Sequence, residues 1–533
     1  MMKKVIKKLL AALLAVAMVC AMAIPAFAYD TKEDLDTKHE YDAFQIFKGD
    51  VSDDNTKISH VEWGKNIPHP EDFLPKLRAD STLSSEFANA DSLQKVLDVM
   101  KDWTTSDDNS IAFARFVCNY IYTDTNANRE PVKKGGHTGG FELDEAGYYL
   151  IVDTSPFSDG DSYHAYNSFL LKVNKAHYHV QITPKVVKPT VEKKVYDNND
   201  IGSTGENNGW GSSADHAINE EFQFRLIAKL PASEGRAYDY YKKYTVCFND
   251  TLSEGITFDK LDTVEITNGD GGASQVIDAA NYTRTPNGSQ FFKLSIDDVK
   301  TCAPGLNLND GATITVTYTA HLNENAAVNG SAENKNSVRL QYSNNPRPDG
   351  EYWGYTPNYT PESEVYVYTY QLNNTKLAEN EHGAPLKDVG FRLYSDADYK
   401  NEVELYQDGE FYYPIKDATD KNKEAVEMKS AANGQFNVKG LDAGTYYLKE
   451  TTTPADFTPC SVIPPVTITA NHNGNRVEFD SSKLSTTIIN KKAGGITLPS
   501  TGGIGTTLFY VVGGGLMVAA IVLLVTKKRM ENK

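Results

Sequence analysis

With 533 residues, the chain has room for about three or four domains at roughly 100–200 residues each, which excludes a single small fold. Its 53 Lys plus Arg against 71 Asp plus Glu, a net charge of −18, excludes a protein that tracks phosphate backbones, and 40% hydrophobic with 23% charged residues excludes wholesale disorder. The 31 Tyr against 22 Phe and 4 Trp suit pleated strands with one wet face, so an exported, mainly β protein is expected.

Residues 1–28 carry Lys3, Lys4, Lys7 and Lys8, an apolar run from Leu9 to Ile24, and Ala26-Phe27-Ala28. That order reads as a secretory signal with an A-x-A cleavage site. Region one, 29–184, is expected to be mixed: apolar residues recur at helical intervals around Ser92 to Trp103 and Ile111 to Tyr122. Asp124-x-Asn126-x-Asn128 opens like a calcium loop, but Arg129 holds the Gly position and Gly135 stands where the bidentate Glu belongs, so a turn is expected.

Val180 and Ile182 then alternate as a closing strand, and Pro184 and Pro189 frame a connector, 185–190. Lys185 is thereby exposed at a domain edge, with Lys188 its nearest rival. The stretch resembles the pilin motif of Gram-positive major pilins, a strand ending in Tyr-Pro-Lys, with Thr183 at the Tyr position here. The resemblance implies that Lys185 is the amine a class C, pilin-polymerising sortase joins to the next subunit.

Region two, 191–362, shows alternating stretches such as Phe222 to Leu230, Ala312 to His321 and Val338 to Tyr342 between Asn/Asp/Gly turns, as in a β-sandwich. Residues two apart share a strand face. Lys193 therefore faces inward with Val191 and Val195, and Asn336 and Asn344 with Val338, Leu340 and Tyr342. The first strand and the last, carrying Asn336 and Asn344, are expected to run parallel, so the early position of Lys193 in its strand favours Asn336, and Asp250, on the face of Tyr244, Val246 and Phe248, is the nominated acid. This arrangement is similar to the isopeptide-bearing middle domain of pilins.

Region three, 363–492, follows an Asn344 to Pro361 loop rich in Pro, Asn, Gly and Tyr. Gly383-Ala384-Pro385-Leu386, Val389 to Tyr394, Gly434 to Leu441 and Gly444-Thr445-Tyr446-Tyr447-Leu448-Lys449-Glu450 resemble a CnaB-type module, the last stretch matching its E-box. That family joins Lys to Asn through an intramolecular isopeptide bond promoted by Glu. Parity supports the carry-over. Lys376 shares a face with Tyr366, Tyr368, Tyr370 and Leu372 in one strand read from Val365 to Lys376, Glu450 with Tyr446 and Leu448, and Asn490 with Leu484 and Ile488. Burial should make Lys376 a neutral amine that attacks the Asn490 carboxamide while protonated Glu450 polarises its oxygen and shuttles a proton. Gly147-Tyr148-Tyr149-Leu150-Ile151-Val152 echoes the E-box with Val152 at the acid position, so no cross-link is expected in region one.

The chain closes with Leu498-Pro499-Ser500-Thr501-Gly502 inside 493–502, an apolar segment over 506–526 long enough to cross a membrane, and a basic tail over 527–533. This order resembles the LPxTG sorting signal of Gram-positive surface proteins, which implies sortase attack on the Thr501 carbonyl. Discounting the four signal lysines and the net +3 beyond Thr501 takes the −18 to −25 for the exported part.

Taken whole, the chain resembles a sortase-assembled major (backbone) pilin of SpaA type. The fold expected is mainly β, with tandem Ig-like β-sandwiches after an N-terminal mixed β domain with helical insertions. The partners implied are identical subunits, class C and housekeeping sortases, peptidoglycan, tip or basal pilins, and host or partner-cell surface ligands; nucleic acid, metals and cofactors are not expected. A monomeric wall-anchored adhesin is the alternative. An exported enzyme is disfavoured, since no HExxH helix, nucleophile elbow or P-loop is present. Cys118, Cys247, Cys302 and Cys460 allow three complete pairings, among which sequence does not choose.

Overall fold

The computed structural model describes residues 40–51, 58–103, 107–137, 141–154, 168–173, 178–180, 188–199, 209–233, 236–269, 271–285, 290–330, 334–344, 359–416 and 423–494, with 520–522, 524 and 527 near the C-terminus. The described residues form a mainly β protein with a helix-bearing first domain, followed by two sandwiches.

The first domain is built on the strand Glu40–Val51, flanked by Ile58–Trp63 and Gly147–Asp153, with Ser168–Val173 beyond the latter. Glu40–Val51 is buried on both faces. Phe44 and Ile46 meet the helices, while Tyr41 and Ala43 face a smaller core with Leu143 and Tyr149. A register shift between Gln45 and Phe47 lets Phe47 join the helix side. The expected helices are present as Leu93–Met100 and Asp108–Thr123. A further helix, Pro70–Ala79, was not expected from the sequence. Pro occupies its first turn, where no amide donor is needed, Glu71 and Asp72 complement the dipole there, and Phe73, Leu74 and Leu77 are buried.

The second domain stacks two six-stranded sheets. One contains Thr190–Tyr196, Glu221–Leu230, Ala312–Leu322 and Ile256–Asn268; the other contains Val246–Leu252, Asn334–Tyr342 and Ser363–Tyr368. Burial in Glu221–Leu230 alternates strictly, with Ile227 the one apolar residue on the outer face. The last strand of this sandwich is Ser363–Tyr368, paired antiparallel with Asn334–Tyr342 and parallel with Ser213–Asp215. This corrects two expectations. The boundary falls at Thr369 rather than after 362, and Val365 to Lys376 is two strands, Ser363–Tyr368 and Tyr370–Ala378. The apolar face switches between them. Val365 and Val367 belong to the second core, Tyr370 and Leu372 to the third. A strand passing from one sandwich to the next must change which face it buries, and Thr369, whose hydroxyl donates to the Leu441 carbonyl at 3.1 Å, holds the change.

In the third domain the first strand, Tyr370–Ala378, lies parallel to the last, Ser485–Lys492, with Lys376 opposite Ile488 and Ala378 opposite Asn490. Gly444–Thr452 belongs to the facing sheet. The second and third domains are closely docked. The Ile218 amide donates to the Gly440 carbonyl at 3.0 Å. Gly440 has φ +88° and a Cβ there would sit 2.5 Å from Ile218 Cδ1, so the close approach requires glycine.

Candidate cross-linking sites

In the second sandwich Lys193, Asp250 and Asn336 are all buried. Lys193 comes from Thr190–Tyr196, paired with Leu226 of the neighbouring strand; Asp250 and Asn336 come from the opposite sheet, Asp250 opposite Val338 and Asn336 opposite Leu252. The Lys193 ammonium pairs directly with Asp250 Oδ1 and donates to the Tyr318 hydroxyl at 3.1 Å. Tyr318 Oη donates to Asp250 Oδ2 at 2.7 Å and accepts from Asn336 Nδ2 at 2.6 Å. One phenol oxygen therefore touches all three groups. The aromatic rings of Phe224, Phe258, Phe292 and Tyr318 wall the site, with the lysine nitrogen 5.3 Å from the centre of Phe224. Burial lowers Lys193 to about 8, against the opposing pull of Asp250, and raises the Asp250 carboxyl above its usual range. Both shifts favour a neutral amine beside a protonated acid. Asn344, the alternative asparagine, is buried farther along, beyond the strand that carries Asn336.

In the third sandwich the same three residue types converge differently. Lys376 and Asn490 are buried on adjacent parallel strands, and Glu450 reaches them from the facing sheet. Glu450 Oε1 accepts from Asn490 Nδ2 at 2.6 Å and from Thr453 Oγ1 at 2.7 Å, and Oε2 accepts from the Cys460 amide at 3.3 Å. Lys376 Nζ donates to the Ile488 carbonyl at 3.2 Å. Burial pushes the Lys376 ammonium down to about 8, with Glu450 pulling the other way. Here the acid holds the asparagine directly; in the second sandwich it holds the lysine.

The inward placement expected for Lys193, Asp250, Asn336, Lys376 and Asn490 is seen in these burials, whereas the face expected to run on through Tyr366 and Tyr368 is broken at Thr369. Tyr318 was missed, although it is the one phenol among Ile314, Val316 and Ala320 on the inward face of its strand, and that oddity was the available signal. In the first domain Val152 is buried, and among the described residues there no lysine is buried. Asp124 and Asn128 form local turns, accepting from the Asn126 and Glu130 amides at 3.0 Å each. Among the described residues Cys247, Cys302 and Cys460 are in no disulfide. Lys185, the signal at 1–28 and Leu498, Pro499, Ser500, Thr501 and Gly502 lie outside the described residues, as does most of 506–526. Among the described residues no helix is long and apolar enough to cross a membrane.

The sequence reading also missed a buried polar cluster between the second and third domains. Asp197 and Asp215 come from the former, Asp442 and His472 from the latter. Ser213 Oγ donates to the Gly474 carbonyl at 2.9 Å and so accepts from His472 Nδ1 at 2.8 Å, which leaves Nε2 facing Asp215 at 2.9 Å and Asp197 at 3.4 Å. These atoms, of metal-ligand type, lie within 4.8 Å of one another and bond among themselves. Burial, then the neighbouring Asp215 charge, holds the Asp442 carboxyl well above its usual 3.8. A raised acid stabilises the docked form while protonated, and that contribution is lost as pH rises through the raised value. The contribution of Asp442 should therefore fall as pH rises above about 4, opposed by Asp215, whose carboxyl is held low, despite its burial, by the hydrogen bond from His472; the thermal midpoint of the exported part should rise more, or fall less, with pH in D442N than in wild type, and an unchanged slope would sink this assignment.

Comparison with known proteins agrees with this architecture. Residues 371–483 match the model of the SpaA prealbumin-like fold domain, and residues 490–532 that of the LPXTG cell wall anchor motif. The T6 backbone pilin of serotype M6 Streptococcus pyogenes is similar in structure over 86% of this chain and 97% of its own, with TM-score 0.50 and 15% identity. Other similar structures are the full-length major pilin SpaD of Corynebacterium diphtheriae (TM-score 0.42, 16% identity, covering 86% of this chain and 93% of that one) and a 35 kDa C-terminal fragment of the major pilin GBS80 of Streptococcus agalactiae (TM-score 0.40, 18%, covering 57% and 99%). The search of curated proteins finds no match.

Proposed function

We propose that this chain, which matches the SpaA prealbumin-like domain and the LPXTG cell wall anchor and shares the fold of a backbone pilin, is the shaft-forming subunit of a pilus on the cell surface, a structural protein rather than an enzyme. A class C sortase cleaves after Thr501, holds its carbonyl as a thioester, and passes it to Lys185 of the next subunit; a housekeeping sortase joins the last subunit to peptidoglycan. Tip or basal pilins complete the fibre.

Within each subunit, Lys376 joins Asn490 with Glu450 as proton shuttle, and Lys193 joins Asn336 with Asp250 in that role, each releasing one ammonia. The observation that carries this reading is the pair of fully buried lysines, each grouped with an asparagine and a carboxyl in a chain that ends in a wall anchor. A buried cation is costly unless paired, and conversion to an amide removes the charge permanently.

The topology supports a mechanical role. Pulling on the chain at the start of Tyr370–Ala378 and the end of Ser485–Lys492 shears two neighbouring parallel strands, and an amide between Lys376 and Asn490 clamps them against sliding. Tension then bypasses the 113 residues between positions 376 and 490.

Lys185→Ala tests the polymer. High-mass ladders in boiled, reduced wall extracts should collapse to a single wall-linked subunit. Ladders that persist unchanged would return the chain to a monomeric anchored adhesin or to another lysine such as Lys188.

A further inference from the structure

We propose that the Tyr318 hydroxyl is the proton relay of the second-domain reaction, carrying a proton from Asp250 to the amide nitrogen that leaves Asn336. The proposal rests on the reading that Lys193 and Asn336 become joined. It starts from a difference between the two sites. Glu450 accepts a hydrogen bond from the Asn490 amide nitrogen directly, at 2.6 Å. Asp250 is engaged by the Lys193 ammonium, and its second oxygen meets the Tyr318 hydroxyl at 2.7 Å. It is that hydroxyl, 2.6 Å away, that touches Asn336 Nδ2.

The acid of this domain therefore reaches the leaving group through a phenol. The Asn336 carboxamide must lose its nitrogen as ammonia, and an amide anion does not leave unprotonated at neutral pH. While the carboxamide is planar, its nitrogen lone pair is delocalised and Nδ2 can only donate, as it does to Tyr318. Once the Lys193 nitrogen has bonded to the side-chain carbonyl carbon, that carbon is tetrahedral, and Nδ2 becomes a basic amine able to accept a proton.

The steps balance as follows. Lys193 passes one proton to Asp250, leaving a neutral amine and a carboxylic acid. The amine lone pair forms the new C–N bond while the carbonyl π pair moves to Oδ1. Tyr318 gives its proton to Nδ2 and regains one from Asp250. The Asp250 carboxylate then takes a proton from the attacking nitrogen, the Oδ1 pair returns, and the bond to Nδ2 breaks. The products are a secondary amide and ammonia, with Tyr318 and Asp250 restored in their protonated forms. Burial, then the Asp250 charge, raises the phenol far above its usual value, so it serves as a relay and not as a standing anion.

The test follows newly made exported chain in pulse-labelled cells and scores the joined and free peptides of both sites after trypsin. In Y318F, joining of Lys193 to Asn336 should slow by roughly 10²-fold or more, while Lys376 and Asn490 of the same molecule join at the wild-type rate. A near-isosteric, more acidic 3-fluorotyrosine placed at position 318 by suppression in a cell-free system should speed the first reaction, a response that a role in packing alone does not give. Wild-type rates with both replacements overturn the relay, as does a slow Y318F with an unaltered fluorotyrosine chain. A wild-type chain in which Lys193 stays free overturns the underlying reading, and the relay with it, whereas wild-type joining together with Y318F at full rate overturns the relay alone.

Discussion

Asp250→Ala is expected to leave Lys193 unreacted and to destabilise the second sandwich by about 3–5 kcal/mol beyond the loss of the bond itself. Lys193 is buried and its carboxylate partner is Asp250, so the substitution strands an ammonium among the rings of Phe224 and Tyr318. The bond would close the chain from position 193 to 336, and on the loop-entropy model used for disulfides its absence costs roughly a further 4–5 kcal/mol. A double replacement, Lys193→Met with Asp250→Ala, separates the two effects. Removing both charges should recover much of the stability lost in D250A, yet the chain should still weigh one ammonia more than wild type at this site. Intact mass and denaturant unfolding of the exported part give both readings. If D250A retains the mass deficit of wild type for this domain, Asp250 is not the proton shuttle.

Much of these sites was legible because a strand has a period of two. Lys193, Asn336 and Asp250 could each be placed on an inward face from their neighbours alone, as could Lys376, Glu450 and Asn490, and all but Glu450 are fully buried. What parity cannot supply is which inward groups meet across a sandwich. Tyr318 belongs to a strand paired with Phe224 and Leu261, and its approach to Asp250 depends on how two sheets stack, information that is not local. The same reason hid the Asp197, Asp215, Asp442 and His472 cluster, whose members lie up to 275 positions apart, from 197 to 472, and meet only because two domains dock. The misread strand at 365–376 failed in the opposite way. Tyr366, Tyr368 and Tyr370 continue one alternation by residue type, while the buried face passes from Val365 and Val367 to Tyr370 and Leu372 at Thr369. Aromatic residues suit either core, so their spacing did not mark the crossing. The helix Pro70–Ala79 was obscured by Pro75, which reads as a breaker although it lies only one turn in from the helix start.

Asn490→Ala should give the third domain a stability that rises with alkalinity between about pH 8 and 10.5. Without the carboxamide carbon Lys376 has nothing to attack and remains an amine. Glu450 keeps its bonds from Thr453 and the Cys460 amide, so the acid is not orphaned by the change. Burial lowers the lysine from its usual 10.5 to about 8, Glu450 opposing, so between those values the unfolded chain binds the proton that the folded chain has released. Stability increases with pH wherever the unfolded state holds more protons. The thermal midpoint of N490A should therefore climb as pH is taken from about 8 toward 10.5, from a baseline lowered by roughly 4–5 kcal/mol through loss of the loop closure. On the proposed cross-link the wild-type lysine nitrogen is an amide with no proton to exchange in this range, and that climb should be missing. Equal slopes in the two proteins, or equal masses once the substituted side chain is allowed for, would mean that Lys376 is a free amine in both.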